Sequence, residues 1–484
     1  MENNFLFSNS AGYFHSPEIN NYYKKIPFDP PEKYPELPFI KNIDKENRIY
    51  PMVRDVLQRL GMDKENYGTD KWNPFKALIK PGDKVVIKPN LVTDSHYVGG
   101  NFILSTIVHG SIIRPIIDYV YQALQGEGSI IIADNPIEPA DFEKIMEITG
   151  IRKMVEVLKE EGYRNLKVID LRPIIVKEGS GGEPVEIQSS GDPLGYITID
   201  LGKDSCFAKL DANSNISYYT LEDKTIDHLD PFLKKKSMTD SYHNPGMHKY
   251  IISKTVLSAD VIINVAKLKT HCKAGVTLSL KNLIGIVGGK VSIPHHRPGP
   301  PPDGDSFPNY PASYYVESRK IYRSLRKLLH IHKFPGVRSV INFLRRNKII
   351  VGQQIEHGNW KGNDTIWRSI LDINRIAVYA DKNGVMQDSP QRRFFYIIDG
   401  IIGQEGDAPI GGTPKPCGVL ISGFNPVVVD ALGCKIMGID YRLIPAIANA
   451  RMLKRWRLCA VNVDLSFDDI KAPNLMFKLP KGWR

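Results

Sequence analysis

The sequence predicts an α/β fold with a parallel, doubly wound sheet. Three observations carry that expectation. Short, nearly continuous apolar runs occur at 84–88 (KVVIK), 129–133 (SIIIA), 261–266 (VIINVA) and 394–398 (FFYII), as in strands covered on both faces. Helical patterns separate them, at 111–125 and about 140–161. Several runs end in polar residues (Lys88-Pro89-Asn90, Lys267 to His271, Asp399-Gly400), where sheets of this kind bind ligands. At 484 residues, the chain exceeds one ordinary core and implies two or three folding units, or one large unit with insertions.

Residues 1–80 read as an irregular arm, rich in Asn, Pro and aromatics, with a short helix at 52–60. The turn Pro81-Gly82-Asp83 opens the first strand. A helix at 111–125, the strand at 129–133 ending in Asp134-Asn135-Pro136, a helix at about 140–161 and a strand at 166–170 follow. Residues 178–250 differ: Gly, Ser and Asp are frequent and the strands are short and alternating (TIDL, SYYT), so we expect an irregular or β-rich insertion. The α/β pattern resumes with a helix near 249–258, the strand at 261–266 and a glycine-rich run at 283–289. Residues 81–290 would thus form an α/β domain. Residues 291–363 comprise a Pro/His-rich loop and a basic helical insertion. Residues 364–484 complete the fold, with a helix at 364–379, a strand at 394–398, a glycine-rich loop at 399–412, a strand at 418–422 and a helix at 426–437.

Apolar residues make up 42% and charged residues 24% of the chain, which excludes collagen-like, coiled-coil and wholly disordered classes. The net charge of +11 is concentrated: residues 319–348 hold ten Lys or Arg and no Asp or Glu. Ile321, Leu325, Leu328 and Leu329 fall on one helical face there, with Arg319, Arg323, Arg326 and Lys327 mostly off it. Such a basic amphipathic segment suits an anionic membrane surface; a helical pair packed on the body with a solvated basic face is the plainer alternative. Sparse aromatic interleaving does not favour nucleic acid. The five cysteines contain no CxxC pair, so no iron–sulfur cluster is expected within the chain, and a sparse, odd set fits a reducing compartment. With no secretory pattern at the N-terminus and no apolar run near the ~20 residues of a membrane span, the expectation is a cytoplasmic protein, peripheral on the inner face of the membrane. Oligomeric state is not legible.

The candidate site gathers the strand ends. Lys88, Lys267 and Lys269, with Asn90 and Asn282, would bind a phosphate or carboxylate. Asp399, Glu405 and Asp407, in a loop where glycine lets the chain turn, would hold a divalent metal such as Mg²⁺; a solvated loop is the plain alternative. His271 and His295 are the candidate general acid and base, with Lys281 as a third catalytic candidate. Gly285 to Lys290 misses the phosphate-loop spacing, and neither GxGxxG nor GxSxG occurs.

Five ordered blocks, VVIKPNLV (85–92), ADVIINVAKLKTH (259–271), TLSLKNLIG (277–285), IIDGIIGQEGDAPIGG (397–412) and GFNPVVVDALGCKIMG (423–438), resemble the prokaryotic family called domain of unknown function 362. The resemblance runs from about residue 83 to 445. The HHRPG segment is similar to a subgroup with a long insertion after the KNLIG block. The resemblance implies recurrent polar positions at Lys88, Asn90, Lys267, Lys269, His271, Lys281, Asn282, Asp399, Glu405, Asp407 and Asp430, and no settled activity. Many members carry a cysteine-rich ferredoxin-like module, from which this chain departs. The function expected is metal-assisted enzymatic chemistry on an anionic substrate. The alternative is a non-catalytic ligand-binding or scaffold protein docked on anionic membrane through residues 319–348.

Overall fold

The computed structural model describes residues 5–180, 183–212, 218, 238–308, 321 and 357–484. The basic window 319–348, apart from Ile321, lies outside the described residues, as does the expected SYYT strand apart from Tyr218.

The strands are β1 (Ala11–His15), β2 (Lys84–Pro89), β3 (Ser129–Asp134), β4 (Leu166–Asp170), β5 (Ile174–Glu178), β6 (Pro184–Gln188), β7 (Tyr196–Asp200), β8 (His243–Asn244), β9 (Met247–Ser253), β10 (Val261–His271), β11 (Gly275–Val276), β12 (Arg393–Asp407) and β13 (Gly411–Gly423). One sheet runs β1-β13-β12-β10-β2-β3-β4, with β11 paired to β10. The five strands from β12 to β4 are parallel, while β13 and β1 add antiparallel pairings at one edge. The insertion forms the β5-β6 hairpin and the small β7-β9-β8 sheet.

Alternation sorts each strand between two cores. Val85, Ile87, Val261, Ile263, Phe395 and Ile397 pack on one face; Val86, Ile262, Ala266, Phe394, Tyr396 and Ile398 pack on the other, as a period of two requires. The first face is covered by α1 (Ile49–Arg59), α2 (Gly110–Leu124), α3 (Phe142–Thr149) and α4 (Ile151–Glu160). After the single turn α5 (Lys254–Leu257), the second face is covered by α6 (Leu278–Asn282), α7 (Ile366–Tyr379), α8 (Pro426–Met437) and α9 (Pro445–Ala450). Helix α8 starts where its sequence says it should: the Asn425 side chain accepts from the amides of Val427 and Val428, Pro426 opens the first turn, and Gly438 ends it in the left-handed region.

Four elements differ from expectation. The helix at 140–161 is two helices, because Gly150 takes φ +70° between them. The helix near 249–258 is strand β9, half-buried in alternation, followed by the one turn of α5. The glycine-rich loop at 399–412 is mostly strand: β12 continues to Asp407 and β13 begins at Gly411. Glycine serves there to admit a neighbour, since a Cβ on Gly400 would lie 2.6 Å from Val419 Cγ1. The arm is not wholly irregular either, since β1 extends the sheet. Among the described residues no helix is long and apolar enough to cross a membrane.

Candidate functional site

Strands β2, β10 and β12 are adjacent and parallel, with Asn264 opposite Lys88 and Lys267 opposite Asp399. Their carboxyl ends therefore meet, as the strand-end pattern required. The three lysines there are all buried, and their partners differ. Lys88 pairs with Asp134 at 2.7 Å. Lys267 pairs with Asp399 at 2.9 Å and contacts the Tyr22 hydroxyl, which donates to the same carboxylate at 2.8 Å. Lys269 has only neutral acceptors, Asn90 Oδ1 at 2.8 Å and the Thr106 carbonyl at 2.6 Å. Burial pushes all three ammonium groups down, and Lys269 furthest, because Lys281 and Lys267 add like charge where the other two have a carboxylate. Asn282 joins the ends: its Oδ1 accepts from Asn90 at 2.8 Å, and its Nδ2 donates to Asn264 Oδ1 at 2.7 Å.

Gly285 explains part of the glycine-rich run. A Cβ there would sit 2.2 Å from Asp134 Oδ1 and 2.7 Å from Lys88 Nζ. The backbone of that segment lies directly on the Lys88–Asp134 pair.

Outside this layer lies a second group of cations. His271 ends β10, and its Nδ1 accepts from the amides of Lys273 at 3.1 Å and Ala274 at 3.2 Å, which leaves the proton on Nε2. His295 is the converse: its Nδ1 lies 2.8 Å from the Ile293 carbonyl, an acceptor only, so Nε2 carries the lone pair. Burial lowers both, His295 to about 3 and His271 well below its usual range, with Lys281, Lys269 and Lys273 adding to the effect. Near neutral pH the pair thus presents one N–H donor and one base. Lys273 is buried and donates to the His357 carbonyl. Half-buried Lys281, in α6, makes no hydrogen bond or ion pair among the described residues. Burial pulls both lysines down to about 8. The Pro/His-rich segment carrying His295 is fixed by Asp305, which accepts from Thr365 Oγ1 at 2.6 Å and the Asp364 amide at 2.7 Å.

The three carboxylates are placed otherwise. Asp399 is held by Lys267 and Tyr22. Glu405 accepts from Lys415 Nζ at 3.2 Å and the Lys478 amide at 3.0 Å. Asp407 accepts from the Lys481 amide at 2.9 Å and pairs with Lys481 Nζ at 3.2 Å. At about 3.3 Å per strand residue, Asp399 and Glu405 stand on the order of 20 Å apart. As placed, these groups do not fit a shared metal, and among the described residues no three His, Cys, Asp or Glu gather to hold one.

The structure therefore brings together Lys88, Asn90, Lys269 and Asn282 in an inner layer, and His271, Lys281 and His295 around it; Lys267 belongs with Asp399. Sequence reasoning missed Asp134, Thr106, Tyr22, Asn264 and Lys273 as parts of the site. Asp134 and Lys273 had a signal, since each stands at or just beyond a strand end. Tyr22 and Thr106 had none, because they come from the arm and a connecting loop.

The profile of the family described as "Domain of unknown function (DUF362)" matches residues 175–435. The chain is also similar to a thylakoid-associated protein of Synechocystis sp., 44% identical over 45 residues, which cover 9% of this chain and 14% of that relative. The match is short on both sides, whereas the family profile spans more than half of the chain. The chain belongs to the domain of unknown function 362 family.

Proposed function

We propose that this chain is an enzyme that binds a small phosphate- or carboxylate-bearing substrate at the carboxyl end of the sheet and moves a proton on it. The observation that carries this is Lys281, a partly buried ammonium without a counter-charge among the described residues, beside Lys273 and two neutral histidines of opposite hydrogen-bonding sense. An anion there would relieve the mutual repulsion of Lys269, Lys273 and Lys281. Its oxygens would accept from Lys281 Nζ and His271 Nε2–H, and its charge, offsetting that of Lys273 and Lys281, would raise the basicity of His295 Nε2, which would take up the proton that leaves the substrate. Asp399, Glu405 and Asp407 are each engaged by a lysine, so in this reading it is Lys281 and its neighbours that neutralise the anion. Calorimetric titration at pH 7 with inorganic phosphate and with malonate tests the site. Saturable binding of at least one anion is expected, weakened about tenfold or more in Lys281→Met, the loss of one charge-assisted contact. Absence of binding, or equal binding by the variant, would overturn it.

A second reading is favoured by the basic run 319–348 and by the likeness to a protein named as thylakoid-associated: a chain docked peripherally on the cytoplasmic face of an anionic membrane. Reversing charge at Arg319, Arg323, Arg326 and Lys327 should abolish sedimentation with anionic vesicles, and unchanged sedimentation would exclude that segment as the anchor.

A further inference from the structure

We infer that Lys281 is a nucleophile whose amine condenses with the carbonyl carbon of a 2-oxo carboxylate to form an imine, an inference that rests on the anion site just proposed and names the substrate class it takes. Five lysines gather at the carboxyl end of the sheet, and four of them are engaged. Lys88 and Lys267 pair with Asp134 and Asp399. Lys269 donates to Asn90 and to the Thr106 carbonyl, and Lys273 to the His357 carbonyl. Lys281 differs twice: its Nζ meets no acceptor among the described residues, and it is half-buried where the other four are buried. A nucleophilic amine needs both features, a lone pair that is not tied up and a side open to substrate. Neighbouring cations are a recognised means of freeing such an amine. Burial, with Lys273 and Lys88 adding like charge, brings the Lys281 ammonium down to about 8. At pH 7 it therefore holds about two orders of magnitude more free amine than an ordinary lysine.

The backbone beneath Lys281 is fixed. The next residue, Asn282, donates to Asn264 Oδ1 at 2.7 Å and lies within 3.2 Å of the Lys88 carbonyl. At the other end of α6, Leu278 takes φ +42°, a conformation that costs a leucine energy and persists where the surrounding structure imposes it. Only the lysine stem is left to move. Among the cations near His271, Lys281 bears on it most strongly, so the His271 N–H donor and the amine are neighbours. A 2-oxo acid has matching adjacency, its carboxylate joined directly to the carbonyl carbon. The carboxylate keeps the contact with His271 Nε2–H, and Lys281 exchanges its contact for a covalent bond. The C–N bond forms as the carbon–oxygen bond breaks. Both protons of the amine leave with the carbonyl oxygen as one water, relayed by His295 Nε2. The imine, once protonated from solvent, draws electrons from the adjoining carbon, and the proton there becomes acidic enough for a neutral histidine to remove.

The test treats the full chain at pH 7 with pyruvate and sodium cyanoborohydride, which reduces an imine to a stable secondary amine, and follows labelling by intact mass and peptide mapping. Lys281 should be labelled faster than the exposed Lys71 and Lys382 by a factor of about ten or more, as its larger share of free amine requires. Saturating inorganic phosphate, which fills the anion site, should slow labelling of Lys281 and leave Lys71 and Lys382 unchanged. Lys281→Arg keeps the charge but has no amine: it should still titrate with inorganic phosphate and gain no pyruvyl group at the fast rate. Labelling of Lys281 no faster than that of the exposed lysines, or fast labelling that persists in Lys281→Arg, would overturn the imine while leaving the anion site standing. Failure of wild type to bind inorganic phosphate would instead overturn the anion site beneath it.

Discussion

At the scale of residues, the site is defined by which cations have counter-charges. Lys88 and Lys267 face carboxylates, whereas Lys281 faces none among the described residues, and burial holds it at about 8 instead of the usual 10.5. The consequence is a pH dependence of definite sign. Below about 8 Lys281 is an ammonium and binds an anion; above it the amine does not. Phosphate should therefore raise the melting midpoint at pH 7 and do so much less at pH 9.5, as read by differential scanning fluorimetry. A second expectation concerns Gly285, whose new Cβ would press on Asp134 and Lys88. Gly285→Ala should cost about 1–3 kcal/mol in urea denaturation. Much of this was visible in the sequence, because Lys88, Lys269 and His271 stand at strand ends and a parallel sheet brings such ends together. What could not be seen was the division of labour among the lysines. Asp134 and Asp399 act as partners only through side-chain geometry between strands, which no local pattern records.

At the scale of elements, the short helix α6 holds Lys281 and Asn282 in place. Its amides at Ser279 and Leu280 donate to the buried Asp430 carboxylate at 2.7 and 2.9 Å, and burial raises that carboxyl to about 7. Asp430→Ala would leave two buried donors without an acceptor, at about 1–3 kcal/mol each, and should weaken phosphate binding by releasing α6. A variant that keeps wild-type stability and wild-type phosphate affinity would contradict this role. The regular elements were legible: α7 follows from its apolar spacing at Trp367, Ile370, Ile373 and Ile376, and β2 and β3 from apolar runs. The β12–β13 hairpin was not, because glycine is as common in flexible loops as in crowded strands, and only neighbours such as Val419 distinguish the two. Strand β9 was misjudged because its short apolar stretch fits either period.

At the scale of the molecule, burial of neutral histidines links the fold to acid. His109, His243 and His295 are each depressed to about 3 from 6.5, chiefly by desolvation, and burial depresses His271 and His296 as well. A histidine with a folded pKa below its unfolded one contributes stability that is fully present above pH 6.5 and is lost as pH falls toward the folded value. Each such group contributes a slope of about 1.4 kcal/mol per pH unit in that window. The free energy of unfolding in urea should thus fall steeply from pH 6.5 to 5, and a flat profile over that range would show that these histidines are not buried as described. The three-layer architecture around one mainly parallel sheet was foreseen from the alternation of apolar runs and helical patterns. The contribution of the arm was not, since β1 and Tyr22 join the sheet and the site from a segment whose composition reads as loop.

The measurement that bears most directly on the anion site is the titration of Lys281 itself, followed by NMR on ¹⁵N-lysine-labelled protein and assigned with Lys281→Met. An apparent pKa of about 8 that moves upward on saturation with inorganic phosphate is expected, since a bound anion favours the ammonium form. A pKa near 10.5 that is indifferent to phosphate would contradict an uncompensated cation at the carboxyl end of the sheet.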